Sequence, residues 1–177
     1  LHVLVEGFEM LPTKPAPPGP DRSAATAVFF VSRYGGLGIH SVLAAMRTFP
    51  DHFRNFVFVG VGVVDYGQFK GAEQVERLAE ESRRGVDRDG ERMRAAGYWA
   101  EGVSDVSTDP IGRIEAFGAE IAGRFPRAVF FAGHLIFPHE HNPLVRLLHA
   151  QSVFEIQRRL QYRGLQMVVL PIRVIAG

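Results

Sequence analysis

The sequence predicts an α/β fold in three layers, a five-stranded parallel sheet with helices on both faces. Three observations carry that expectation. Five short apolar runs, rich in β-branched and aromatic residues, recur along the 177 residues. Four segments with apolar residues at helical spacing alternate with them. The connections between the two kinds of segment are short, so each crossover must run right-handed and lay a helix on a face of the sheet.

The chain opens with an apolar piece, Leu1 to Leu11, read as a tether or an added strand. Residues 12–23, PTKPAPPGPDRS, then hold five of the eleven prolines. Proline fixes φ and lacks a donor, so this stretch reads as an extended linker. Residues 1–23 are therefore set apart as tether and linker, and 24–177 as the α/β domain.

Within that domain, TAVFFVS (26–32) is a continuous apolar run, as expected of a strand buried on both faces. Ile39, Leu43 and Met46 mark the helix that follows, which Pro50 stops. NFVFVGVGVVD (55–65) is the second strand. A long polar helix over 71–96 carries Val75, Leu78, Val86 and Met93 on one stripe and ends at Gly97. YWAEGVSDV (98–106) is more polar and belongs nearer an edge.

Asp109 and Pro110 signal the start of a third helix, 109–126, by N-cap and first-turn preference. Its buried face is Ile114, Gly118, Ile121 and Phe125. AVFFAG (128–133) is the fourth strand. The last helix, 143–163, carries Val153, Ile156 and Leu160, and Gly164 closes it. LQMVVLPIRV (165–174) is the fifth strand, and Pro171 confines it to an edge or a bulge. The expected strand order is 3-2-1-4-5.

Composition excludes several classes of function. The hydrophobic share of 46% is too high for a disordered chain. With 20 basic and 19 acidic residues the net charge is +1, without the cationic excess that nucleic-acid binding needs. No cysteine is present, which removes thiolate chemistry and disulfides. The longest apolar run, FVFVGVGVV (56–64), is far short of the ~20 residues that span a bilayer. A chain beginning at Leu1 is expected to be a processed protein or a piece of a longer one.

Ligands of open parallel sheets sit outside the carboxyl ends of the strands, where the order reverses. With the order above, strands one and four flank that crevice. Its expected lining is Ser32, Arg33, Tyr34, Gly35, Gly36, Gly133 and His134, with Gly38 at the helix start and Asp65 close by. GLGIHS (36–41) matches G-x-G-x-x but places Ser41 where a third glycine belongs, and no Walker lysine follows. The glycines either expose backbone N–H groups to an anion or serve a tight turn, and the turn is the preferred reading. His134, His139 and His141 with Glu140 could share a metal, yet a solvated loop is the commoner outcome, and no metal is expected. His40 and Ser41 are helix neighbours that face apart, and Asp65, Asp109 and Glu140 are not paired by spacing. No enzyme and no cofactor are expected.

SRYGGLGIH (32–40), NFVFVGVGVVDYGQFKG (55–71), FPRAVFFAGHLIF (125–137) and RLLHAQSVFEIQRRLQYRGLQMVVLPIRV (146–174) together resemble the tail that follows the last membrane helix of certain bacterial permeases of the amino acid–polyamine–organocation (APC) superfamily. The resemblance spans about residues 10–174. It implies a regulatory or assembly domain of universal stress protein-like fold, on the cytoplasmic face of the inner membrane, whose partner is the permease's own membrane portion. Stress-protein-like domains commonly pair through the last strand, which implies a homodimer through Val168–Val174 and the helix before them. Members that bind ATP carry a G-x-x-G loop and a later G-[ST] after strand four. Here Gly133 is followed by His134 and LIFPHEHNP, so that cradle is missing. A nucleotide such as ATP, AMP or cyclic di-AMP in the strand-one/strand-four crevice is the alternative, by analogy with potassium importers bearing a similar tail. An enzyme acting on a nucleotide-like or acidic substrate ranks third.

Overall fold

A computed structural model describes residues 14–31, 37–64, 71–136 and 143–173. Along them run β1 (Ala25–Val31), α1 (Leu37–Thr48), β2 (Phe53–Val63), α2 (Ala72–Ala95), β3 (Trp99–Ser107), α3 (Pro110–Arg124), β4 (Ala128–Ile136), α4 (Pro143–Tyr162) and β5 (Gln166–Arg173). All strand pairings are parallel and the order is β3-β2-β1-β4-β5. The expected fold class and strand order are therefore observed.

Strand side chains alternate between the two faces, and each face builds its own core. On one face Phe29, Phe56, Phe58 and Phe131 pack beneath Val42 and Ala45 of α1 and Val86 and Met93 of α2. Phe29 stands at the centre, with ring centroids 5.8 Å from Phe58 and 5.2 Å from Phe131. On the other face Val28, Val57, Val59 and Phe130 meet Phe117 and Ile121 of α3 and Ile156 and Leu160 of α4.

Two expected stripes are corrected in detail. In α1 the buried apolar positions are Ile39, Val42 and Ala45, while Leu43 is only half-buried. In α3 the additional core residue is Phe117, whose ring also carries the Arg113 guanidinium at 3.9 Å. Both shifts come from the direction in which each helix meets the sheet, which periodicity alone leaves free.

The strands at the two edges are β3 and β5. Pro171 pairs with His134 and the register runs through it unbroken. An edge strand accommodates it because, among the described residues, one side of its ladder meets no further strand. β4 continues to Ile136, beyond the expected end at 133, because β5 pairs with it along that length. Gly133 and His134 are thus strand residues and not loop residues.

The proline-rich segment is fastened to the domain at the amino ends of the strands. Asn55 in β2 is fully buried; its side chain accepts from the Asp21 N–H at 2.9 Å and donates to the Asp21 carbonyl at 2.7 Å and to Thr26 Oγ1 at 3.0 Å. The Arg127 guanidinium donates to the Ser23 carbonyl at 2.8 Å. Lys14 passes against Gly97, which closes α2 at φ 86°, a left-handed turn that glycine adopts without strain. There a Cβ would come within 2.7 Å of Lys14.

Candidate functional site

β1 is the short strand of the sheet. Its last residue, Val31, pairs with Gly60, whereas β2 continues to Val63 beside β3. On its other side Phe29 pairs with Phe131, and β4 continues to Ile136 beside β5. Among the described residues, the end of β1 therefore lies between two longer neighbours, at the point where the chain order reverses. A cavity of about 670 Å³ lies there, within the size range of small-molecule sites.

The cavity reaches both faces of the sheet. Val59, Gly60, Val61, Gly62 and Val63 all line it, as do Phe30 with Val31 and Ala132 with Gly133. Consecutive strand residues point to opposite faces, so a wall made of consecutive residues belongs to a space that passes over the strand ends. On the α3–α4 face the boundary is apolar, with Ile111, Ile114, Val153 and Ile156. On the α2 face it is polar, with Glu81, Ser82, Arg84 and Arg88.

Glycine shapes the α2 wall in two ways. A Cβ at Gly60 would lie 2.8 Å from Ser82 Oγ and 3.0 Å from Val86 Cγ1, so this glycine lets α2 approach β2 closely. Gly85, inside α2, has nothing within 4 Å of the place a Cβ would take. It lines the cavity and leaves space there. At the start of α3 the Asp109 side chain accepts from the Gly112 N–H at 3.0 Å. That helix terminus is capped by its own chain.

Next to the polar wall, Asp89 is fully buried on α2. Its Oδ1 lies 3.4 Å from Arg92 Nη1 and 3.8 Å from Arg88 Nε, while Oδ2 has no hydrogen-bond partner. Burial pushes its carboxyl above the ordinary range, against the opposing pull of Arg88 and Arg92. In α1, burial lowers the His40 imidazole, with a smaller contribution from Arg47.

Of the residues expected at the crevice, Gly133 lines the cavity. Gly38 lies in the first turn of α1, and His134 sits in β4 opposite Pro171. Ser32, Arg33, Tyr34, Gly35, Gly36 and Asp65 lie outside the described residues, as do His139, Glu140 and His141. Sequence reading missed the whole α2 wall. A signal existed in the apolar stripe of that helix. Leu78, Val86 and Met93 are buried, but Ser82, Gly85 and Asp89 interrupt the same face.

Among the described residues no helix is long and apolar enough to cross a membrane, and no three acidic or histidine side chains come together as a metal site would require. No protein-family model matches the chain, and no curated protein is similar to it.

Proposed function

We propose that this chain is a regulatory and assembly domain of an amino acid permease of the APC superfamily, without catalysis of its own, and that a small molecule in the cavity above β1 is its input. The observation that carries the ligand half is the cavity itself, about 670 Å³ at the switch point of a parallel sheet. The permease half rests on the resemblance of residues 10–174 to permease tails, which would put the domain on the cytoplasmic face of the bacterial inner membrane. The second half of the role, docking, suits α4, where Phe154 is 53% and Tyr162 83% exposed beside the edge strand β5. Residues four and eight apart share one side of a helix, so Phe154, Arg158 and Tyr162 form one stripe.

A nucleotide in the same cavity is the second reading, favoured by Gly133 at its wall. Calorimetric titration of the chain with ATP, AMP and cyclic di-AMP, beside a Gly36→Val/Gly38→Val variant, tests it. Saturable heat that the variant abolishes supports a nucleotide sensor held by the glycines. The primary reading is tested by amino acid uptake into vesicles containing the permease with this domain intact, deleted, or carrying Gly85→Leu. Altered uptake in both changed forms supports regulation through the cavity; uptake equal in all three overturns it.

A further inference from the structure

We infer that the cavity takes a two-part ligand, a compact molecule with an apolar body and one anionic group, held by arginines of α2. This rests on the cavity being a ligand site, and it adds what the ligand is. Its two lobes differ in chemistry. The lobe on the α3–α4 side is bounded by Phe30, Ile111, Ile114, Val153 and Ile156, with Ser152 as the polar group among them. A nucleobase edge buried there would leave most of its donors and acceptors unmatched, at a cost an aryl or branched alkyl group does not incur.

The lobe on the α2 side carries the charge. Arg84 and Arg88 are one helical turn apart and therefore neighbours on the surface of α2. Both line the cavity, and their side chains keep 65% and 46% of their exposure, which puts them at its mouth. Glu80 lies 3.9 Å from Arg84, and Arg88 also faces the Asp89 carboxylate, 3.8 Å from its Nε. Glu81 also lines this wall and screens part of the positive field. It favours a single anionic group, a carboxylate, sulfonate or phosphate monoester, over a polyphosphate. Gly85 lies between the two arginines in sequence and leaves the opening free of side-chain atoms. The amino terminus of α3, which also faces this end, is already capped by Asp109.

Two fluorescent probes that share one aromatic skeleton separate the terms. 1-Anilinonaphthalene-8-sulfonate carries an aromatic body and one anion, and N-phenyl-1-naphthylamine is its neutral counterpart. Both are titrated into the full chain, into Gly85→Leu, which fills the opening, and into Arg84→Gln, whose side chain is 65% exposed and whose one acidic neighbour, Glu80, is itself at the surface. Circular dichroism checks folding of each variant. The expected result is saturable binding of both probes, loss of both in Gly85→Leu, and about tenfold weaker binding of the sulfonate alone in the arginine variant. Sulfonate affinity unchanged in the arginine variant would overturn the anion assignment while leaving the cavity as a site. Both probes binding Gly85→Leu as they bind the parent would overturn the cavity reading itself.

Discussion

Replacing Gly85 by alanine should stabilise the protein, which is unusual for a change in the middle of a helix wall. Gly85 is interior to the 24-residue α2, away from both ends. Glycine there costs about 1 kcal/mol relative to alanine, because the unfolded chain loses more freedom on ordering it. The added methyl meets nothing within 4 Å, so no packing penalty opposes the gain. A net gain of about 1 kcal/mol corresponds to a rise in Tm of roughly 2–4 °C for a chain of this size. In urea, with a slope of about 2.5 kcal/mol/M, the midpoint should move up by about 0.4 M. Gly118 in α3 supplies the control. The same propensity gain applies, but the new Cβ would sit 2.6 Å from Cδ2 of the fully buried Leu160. Overpacking of about 1–3 kcal/mol then offsets or exceeds the gain. Urea unfolding of both variants decides the matter. A Gly85→Ala protein no more stable than the parent would refute the open space at that position, and with it the shape of the cavity mouth.

Asn55→Ala should cost about 1–3 kcal/mol, since it leaves the buried polar partners of the clasp unmatched, and should free the segment around Arg22 for trypsin; unchanged cleavage would count against the clasp. Asp89→Asn should stabilise the fold at pH 7 on the order of 1 kcal/mol by removing a buried charge. The sign follows from a native carboxyl raised above its unfolded value, near pH 4. The folded state takes up that proton first as pH falls, so the advantage of Asn shrinks toward pH 4 in thermal melts; a constant advantage would argue against it. Asp105, Glu115 and Glu155 are shifted the other way, held down first by hydrogen bonds from Arg113, Arg163 and Arg159 respectively. Their contribution is complete above their unfolded values and is lost as pH falls through the native ones, so acid unfolding should begin earlier in Arg163→Gln. Phe154→Ser/Tyr162→Ser should shift sedimentation toward monomer if α4 joins two copies, with no loss of helix by circular dichroism.

The element order and the parallel sheet were legible because they are local. An apolar run such as Val57–Val59 or an N-cap such as Asp109 states its own conformation within a few residues. Pro171 was equally informative, since a missing donor restricts a strand to an edge whatever surrounds it. The buried stripe of α1 was misplaced by one position because Val42 and Leu43 satisfy the same periodicity, and only contact with β1, β4 and β5 separates them.

The sequence by itself therefore determined what kind of fold this is and the order of its strands and helices. Tertiary structure alone decided the site. The cavity lies where the described part of β1 ends at Val31 while β2 and β4 run on, a difference in length that is fixed by pairing partners far apart in the chain. Its polar wall comes from α2, brought against β2 by the close approach that Gly60 permits. Distances between elements are set by packing, and packing is a property of the whole core that no short stretch of residues carries.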